Sequence, residues 1–419
     1  MTAELDVAVI GAGPYGLSIA AHLSAAAIDN QVFGAPMNSW RNHMPPGMCL
    51  KSYGESSSLF DPHSAFTLEA FCRERGIEYD PIVLPVRLET FIAYCDAFRE
   101  RFVPRVDPRH LVGHEWTKRG HELTFDDGHR VTARRVVIAT GVVHYKHVPE
   151  VLLRCDSTHL SHSSDHGPIE HLAGRRVAIV GRGSSALDLA ALLTARGSAV
   201  TLLTRSAELK FQTLPPRRDD HEPALRRAAR ALLRPPARGL GSGWVLAACA
   251  ATPRLIHCLP DRARRAILES YLGPSGGYFI RDFVEHSIEL RLSTTVERVE
   301  AQSDGVRLAT VDAAGGRQFV DSDHIVAATG YRVDVRRLAF LGTRTLERIQ
   351  NADGVPRLSA NFESSLPGLY FVGLASARSF GPIMRFVEGA IHPAVHLARV
   401  LRRSRLRPML TRAPAASSF

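Results

Sequence analysis

The sequence predicts an α/β fold made of two Rossmann-like units, with the second unit inserted into the first and carrying a helical insertion. Two duplications predict it. An apolar strand, a glycine-rich turn and an alanine-rich helix follow one another at the N-terminus and again from about residue 175. A strand ending in Ala-Thr-Gly occurs twice as well, at 139–141 and 328–330. Each unit therefore has its own strand–turn–helix and its own second strand.

The first unit begins with the apolar run Leu5–Ile10, and a helix is expected over Leu17–Ala27. The turn between them has the GxGxxG pattern and comprises Gly11, Gly13, Pro14, Tyr15 and Gly16. In such a turn the first glycine permits a tight bend and the second lets the backbone approach a pyrophosphate. The third allows the helix to pack closely on the strand. The pattern predicts a dinucleotide site.

One usual component of this site is missing. An acidic residue normally ends the second strand and binds the ribose hydroxyls. Here residues 31–33 run directly into Gly34. Backbone groups or a neighbouring side chain such as Asn38 are the alternatives for this contact.

The second unit repeats the pattern, with a strand at Arg175–Val180, a helix over about Ser185–Ala195 and a strand at Ala199–Leu203. Its predicted loop residues are Gly181, Gly183, Ser184 and Ser185, and Ala186 takes the third glycine position. The last strand is followed by Arg205, where an acidic residue would favour NAD. A guanidinium suits a 2′-phosphate, so NADPH is predicted, and Arg182 and Lys210 add positive charge at the same edge.

The positions of the two units predict how the chain divides into domains. We expect the first domain at 1–171 and 323–411, with a hairpin turn at 126–128, and the inserted domain at 172–322. Residues 211–272 fit neither unit and predict a helical insertion. A cap over a substrate pocket, a contact between subunits of a homo-oligomer and a surface excursion are the open interpretations. The tail at 412–419 has a disordered composition.

Composition excludes several other classes. The net charge of +10 comes without any nucleic-acid-binding motif, so no nucleic-acid partner is expected. The six cysteines lack metal-ligand spacing, and no metal site is predicted. No apolar stretch reaches the roughly 20 residues of a membrane span. The first strand begins too early for a signal peptide, which predicts a cytoplasmic protein.

The paired loops resemble the two-dinucleotide-binding flavoproteins, and within them the flavin-containing and N-hydroxylating monooxygenases. The segment 323–331 is similar to the D-xxx-(L/F)-ATGY fingerprint of the N-hydroxylases, although it departs at Ala327 and Arg336. The monooxygenase fingerprint FxGxxxH is not intact, because Asp156 and Thr158 replace its Phe and Gly. That departure removes support for Baeyer–Villiger chemistry.

The resemblance implies FAD in the first unit and NADPH in the second. It also implies a set of further cofactor contacts, namely Trp40, Arg41, Thr140, Gly141, Thr329, Gly330, Tyr331, Gly373, Phe380, Gly381 and Pro382. A helix from about Ile383 is expected to point its N-terminus at the electron-rich edge of the flavin.

The implied activity is FAD-dependent, NADPH-using monooxygenation of a nucleophilic nitrogen or sulfur of a small molecule, with molecular oxygen, through a flavin hydroperoxide. A flavin reductase or oxidase that passes electrons to a quinone or protein partner is an alternative. A non-catalytic nucleotide-binding protein is another. A disulfide reductase needs two redox cysteines beside the flavin, and Cys49 stands alone after the first helix.

The segment 43–52 follows the Trp40 loop and by position should lie over the flavin. It offers three candidate catalytic residues for the substrate or nicotinamide side: His43, Lys51 and Ser52. His162 and His166 are further candidates for lining the cofactor cleft, against the simpler interpretation of solvated loop histidines.

Overall fold

The structure is a computed structural model, and it describes residues 4–156, 158–214, 237–238, 241–242, 244–271 and 273–405. Most of the Arg- and Pro-rich part of the predicted insertion, and the predicted disordered tail, lie outside the described residues.

The described residues form nineteen strands, numbered in chain order. They are β1 Glu4–Ile10, β2 Asn30–Phe33, β3 Val106–Asp107, β4 Leu111–Thr117, β5 Gly120–Phe125, β6 Arg130–Ile138, β7 Leu160–His162, β8 Arg176–Val180, β9 Ala199–Leu203, β10 Ala237–Arg238, β11 Gly241–Ser242, β12 Glu289–Arg291, β13 Thr295–Gln302, β14 Gly305–Val311, β15 Arg317–Ser322, β16 His324–Ala327, β17 Asn351–Ala352, β18 Val355–Pro356 and β19 Leu369–Phe371.

The helices of the described residues are numbered in the same way, and short 3-10 turns are given by range where they matter. The helices are α1 Pro14–Ala25, α2 Asn38–Asn42, α3 Leu68–Arg75, α4 Leu88–Phe102, α5 Ser184–Thr194, α6 Trp244–Ala251, α7 Pro253–His257, α8 Asp261–Ser270, α9 Arg281–Ser287, α10 Thr343–Arg348, α11 Ala377–Phe380 and α12 Ile391–Arg405.

The first sheet has seven strands in the order β3-β2-β1-β6-β5-β4, with β19 also paired to β6. Strands β1, β2, β3 and β19 run parallel to their partners, whereas β4, β5 and β6 form an antiparallel meander. The apolar β1 lies at the centre of this sheet with its last five residues buried. Such two-sided burial explains why the last four residues of β1, Val7–Ile10, form a continuous apolar run.

The second sheet has five parallel strands in the order β12-β9-β8-β16-β7. Helix α5 covers one face, and the antiparallel sheet β13-β14-β15 covers the other through a core that includes Leu308 and Ile325. The two-unit α/β fold predicted from the sequence is thus confirmed. The domain limits at 172 and 322 stay a prediction, and the strands β7 and β16 of the second sheet lie just outside them.

The described part of the insertion is helical. Helices α6, α7 and α8 pack against the C-terminal segment of the first unit, where α7 and α8 contact α11. Phe380 of α11 stacks on the His257 ring with centroids 5.0 Å apart. On α8, Asp261 accepts hydrogen bonds from the Arg378 guanidinium at 2.8 and 3.1 Å.

The prediction that a helix begins at about Ile383 was wrong. Residues 382–385 and 387–390 form 3-10 turns with an extended Phe386 between them, and α12 begins only at Ile391. The Tyr15 hydroxyl lies 3.0 Å from the carbonyl oxygens of both Met384 and Phe386. An α-helix would need those carbonyls for its own bonds to residues 388 and 390, so this contact opposes helix formation here.

Candidate dinucleotide sites

A cavity of about 380 Å³ opens at the edge of the first sheet where β1, β2, β6 and β19 end. Parallel strands bring their carboxyl ends to one edge, which is where ligands bind in open α/β sheets. Eight predicted cofactor residues line the cavity: Gly11, Gly13, Pro14, Tyr15, Trp40, Thr140, Gly141 and Gly373. The fold therefore brings predicted residues from four distant segments of the chain to one site.

Gly11 and Gly16 show why this turn needs glycine. Gly11 has a φ of +114°, and a Cβ atom there would overlap the carbonyl oxygen of Ala139. A Cβ atom on Gly16 would overlap the carbonyl oxygen of Gly11. Gly16 does not line the cavity. It instead provides the close packing of helix on strand that the sequence predicted.

Gly13 has a different environment. It is the N-cap residue of α1, and Pro14 takes the first helical position. No side chain caps the helix, and no atom lies within 4 Å of a Cβ atom built on Gly13. The backbone N–H groups of the first turn therefore face an open space, which suits a phosphate.

The second loop repeats this geometry. Gly181 has a φ of +151°, and a Cβ atom there would overlap the carbonyl oxygen of Ala328, as Gly11 does with Ala139. Gly183 is the N-cap residue of α5, again without a side-chain cap. Each glycine loop thus lies against its own Ala-Thr-Gly strand end. The two copies of the sequence pattern therefore have the same local structure.

The remaining residues of the second site surround this loop. The Ser184 hydroxyl donates a hydrogen bond to Asp188 at 3.0 Å, and Ser185 is exposed. Arg205 is exposed just beyond β9. Its contact with a ligand at the loop stays a prediction.

The cavity wall near Gly34 has polar side chains but no carboxylate among its described residues. Gly34, Asn38 and His110 all line the cavity. Asn38 accepts a hydrogen bond from the Asn42 side-chain amide at 2.6 Å, so its own amide N–H groups remain available to the cavity. Asn38 thus lines the same cavity as Gly34, and its contact with a ribose stays a prediction.

Several predicted contacts lie elsewhere. Arg41 forms an ion pair with Asp96 of α4 and does not line the cavity. Phe380, Gly381 and Pro382 also lie outside the cavity wall. Phe380 stacks between the rings of Phe362 and His257, because the inserted helices cover this segment.

Residues 329–331 join the two units. The Thr329 hydroxyl donates to the His147 carbonyl, and the Gly330 carbonyl accepts from the His147 backbone N–H at 3.0 Å. Tyr331 forms a bridge with Lys146. The crossing from β16 back toward the first unit is thus fixed by contacts with residues 146 and 147.

The segment 43–52 touches the second unit. The His43 ring donates from Nδ1 to the carbonyl oxygen of Ser164 at 2.7 Å. Lys51 and Ser52 are half-buried, and Lys51 lies near Asp188 of α5. Burial raises the pKa of the Asp188 carboxyl to about 7 and lowers the pKa of the Lys51 ammonium. All three candidate residues therefore lie on the segment that contacts both units.

His162 and His166 are buried and make structural hydrogen bonds. His162 donates from Nε2 to the Gly330 carbonyl at 3.0 Å and accepts at Nδ1 from the Ser164 backbone N–H. His166 lies 2.7 Å from the Ser161 hydroxyl through Nε2. Both rings are buried, so they are not solvated loop residues, and neither lines the cavity of the first site. That they line the cofactor cleft stays a prediction.

Sequence reasoning missed other cavity residues. These are His110, Leu111, His144, Phe340 and the segment from Met384 to Val387. They follow no motif, and Leu111, the first residue of β4, is the one that belongs to a strand. Asp188 could have been recognised from the sequence, because it lies within the apolar run of α5 and a buried carboxylate is uncommon.

Two absences hold for the residues that the structure describes. None of their helices has the length and apolar character needed to cross a membrane. No group of three or more His, Cys, Asp or Glu among them could hold a metal ion.

The fold and its two glycine loops define a protein with two dinucleotide-binding units. The sequence family described as pyridine nucleotide-disulphide oxidoreductase matches residues 5–227, just over half of the chain. The chain belongs to this family. A search among curated proteins gives no significant match.

Solved structures similar to this chain agree with the expected fold. An ornithine N-hydroxylase from Kutzneria sp. 744, with reduced FAD, NADP⁺ and L-ornithine, has a TM-score of 0.74 at 18% identity, covering 96% of this chain and 100% of its own. A cadaverine monooxygenase from Erwinia amylovora bound to FAD has a TM-score of 0.71 at 17% identity, covering 100% of both chains.

A bacillithiol disulfide reductase from Staphylococcus aureus is similar as well, with a TM-score of 0.65 at 17% identity, covering 97% of this chain and 100% of its own. The ornithine N-hydroxylase and the cadaverine monooxygenase confirm, for the fold, the predicted resemblance to N-hydroxylating monooxygenases.

Proposed function

We propose that the chain is an FAD-dependent, NADPH-using monooxygenase that oxygenates a nucleophilic nitrogen or sulfur of a small molecule. The observation that carries the proposal is the pairing of two equivalent glycine loops, each against its own Ala-Thr-Gly strand end, with the segment 43–52 in contact with both units.

The first site fits FAD. Its loop leaves room for a pyrophosphate beside Gly13, and α1 presents uncapped N–H groups to that space. The cavity wall is mainly apolar, including Trp40 and Phe340, which suits the aromatic parts of a dinucleotide. Bound flavin would supply the redox and oxygen chemistry, which the side chains do not provide themselves.

The protein has three tasks in this proposal. The loop at Gly183 and the guanidinium of Arg205 hold NADPH in the second unit. His43 anchors the segment 43–52 through the Ser164 carbonyl, so that this segment excludes water from the junction. Lys51, whose pKa burial lowers, releases a proton there more readily than an exposed lysine.

The proposal draws support from the similar structures, in which an ornithine N-hydroxylase holds FAD, NADP⁺ and L-ornithine. It also fits the family to which the chain belongs. Amines of small molecules are therefore the first substrates to try, followed by sulfides.

The test is NADPH oxidation by the purified protein, with hydrogen peroxide measured against a panel of amines, sulfides and ketones. A yellow protein with the oxidised-flavin spectrum is expected, together with one amine or sulfide whose oxygenation consumes NADPH without peroxide release. If every compound leaves peroxide equal to NADPH consumed, the monooxygenase proposal fails. A protein purified without flavin that also fails to take up added FAD would favour a non-catalytic nucleotide-binding role.

A reductase is the second candidate, favoured by the similarity to a bacillithiol disulfide reductase. All six cysteines lie in the described residues and are free, and burial raises the pKa of the Cys49 thiol, which disfavours its reactive thiolate. A disulfide, quinone or protein acceptor that accelerates NADPH oxidation without oxygen consumption would support the reductase and contradict the monooxygenase.

A further inference from the structure

The cavity of the first site contains a single permanently charged side chain among its described lining residues. That residue is Arg385, and no aspartate, glutamate or lysine accompanies it. Arg385 thus lines the cavity and is also exposed to solvent. A charge with no neighbouring carboxylate in the wall is available to a bound ligand.

The backbone around Arg385 is held on both sides. The Tyr15 hydroxyl, from the turn of α1, lies 3.0 Å from the carbonyl oxygens of Met384 and Phe386, which flank Arg385. A Cβ atom on Gly389 would overlap that hydroxyl, so the contact is closely packed. The first glycine loop therefore fixes the position from which the arginine side chain extends.

The inserted helices hold the side chain. The Arg385 guanidinium donates from Nη2 to the carbonyl oxygen of Leu268 at 3.1 Å. Leu268 lies on α8, which is anchored to the first unit by the hydrogen bonds between Asp261 and Arg378. Among the residues that the structure describes, this bond occupies one N–H group and leaves the other donors of the guanidinium to a ligand.

The need for such a charge follows from the fold. Reduced flavin is anionic, and a positive charge or helix N-terminus near it favours reduction. The long helix expected to provide this field from Ile383 does not start until Ile391, so residues 382–385 present only a short 3-10 turn. Arg385 extends from that turn.

We infer that Arg385 supplies the positive charge that stabilises reduced flavin in this chain, and that the inserted helix α8 positions its guanidinium. The inference rests on the proposed FAD site and deepens it. It also gives the helical insertion a role, as a support for a charged residue at the cofactor cavity rather than a separate surface unit.

The test compares the two-electron midpoint potential of FAD in the loaded wild-type protein, Arg385→Gln and Arg385→Lys, by anaerobic dye equilibration. The ratio of the FAD dissociation constants, oxidised over reduced, should fall about tenfold in Arg385→Gln, which corresponds to a potential about 30 mV lower. Arg385→Lys keeps the charge and should stay much closer to wild type. Arg262→Gln removes an exposed arginine on α8 and should leave the potential unchanged.

The role of α8 is tested with Asp261→Asn, which weakens the anchor of that helix while keeping Arg385. It should lower the potential in the same direction as Arg385→Gln but by less, with a folded state confirmed by thermal melting. An Arg385→Gln potential equal to wild type overturns the inference, even if FAD binding weakens. A wild-type protein that binds no FAD contradicts the proposed function itself.

Discussion

Gly11 and Gly13 lie two residues apart, and substituting them should affect different properties. Gly11 has a positive φ and packs against Ala139, so a side chain at this position conflicts with the folded backbone. Gly13 has a φ of −92° and open space around it, so alanine fits the folded chain there. In a bound complex, however, its methyl group would occupy the space of the pyrophosphate.

Gly13→Ala should therefore melt within a few degrees of wild type while its FAD affinity falls at least tenfold, roughly 1.4 kcal/mol or more. Gly11→Ala should lose both stability and FAD. Thermal melting of the apoproteins and FAD titration by fluorescence quenching measure the two effects. Equal FAD affinity in Gly13→Ala and wild type would show that the pyrophosphate does not bind at this turn.

Arg205 determines the predicted choice of NADPH over NADH. A charge-assisted hydrogen bond to a phosphate contributes roughly 1.5–3 kcal/mol. Arg205→Ser should therefore raise the KM for NADPH about ten- to a hundredfold and leave the KM for NADH nearly unchanged. Steady-state kinetics with both cofactors tests this, with the half-buried Arg196→Ser, two residues beyond α5, as a control. An equal loss for both cofactors would exclude contact with the 2′-phosphate.

At the scale of elements, the hairpin β4–β5 contains a buried pair of histidines. His114 Nε2 donates to His121 Nδ1 at 2.9 Å, and His121 Nε2 donates to the Pro367 carbonyl at 3.0 Å. The second bond fixes the tautomer of His121, which in turn fixes that of His114. Burial lowers the pKa of His114 to about 3, with the charge of His121 as a further cause, and it lowers the pKa of His121 to about 4.

These shifts predict acid instability. The unfolded chain takes up protons on both histidines near pH 6.5, whereas the folded chain keeps them neutral down to about pH 4. Stability is therefore full above pH 6.5 and falls below it, by about 1.4 kcal/mol per pH unit for each histidine. His121→Gln should reduce that slope by about one proton between pH 6 and 4.5. Urea unfolding across this range measures it, and an unchanged slope would contradict the prediction.

The sequence predicted the elements that repeat a pattern and missed those set by distant contacts. The strands and helices of both loops begin within a few residues of their predicted positions, because apolar periodicity and glycine placement are local signals. The helix start at Ile383 was wrong because Pro382 is typical of a first helical turn, whereas Tyr15, far away in sequence, contacts the carbonyls that a helix would use. Arg385 and His110 belong to the site for the same reason, since only the fold brings their segments to the cavity.

At the scale of the whole molecule, the chain contains two copies of the same strand, glycine loop and helix. Each sheet ends in a glycine loop that packs on a neighbouring Ala-Thr-Gly strand, and the segment 43–52 reaches from the first unit to the second. A protein with a single dinucleotide would need only one such loop. The duplication accounts for an electron donor and an electron acceptor that must meet at the junction.

The most direct test of this account is anaerobic reduction of the FAD-loaded protein by NADPH, in wild type and in Gly183→Ala. A Cβ atom on Gly183 has only an ordinary contact with Pro274 at 3.7 Å, so the variant should fold and retain FAD. We predict that NADPH bleaches one FAD per wild-type chain, and that in Gly183→Ala the same bleaching slows at least tenfold while dithionite still reduces the flavin. Wild-type flavin that NADPH does not reduce, or a Gly183→Ala protein reduced at the wild-type rate, would contradict the two-site account.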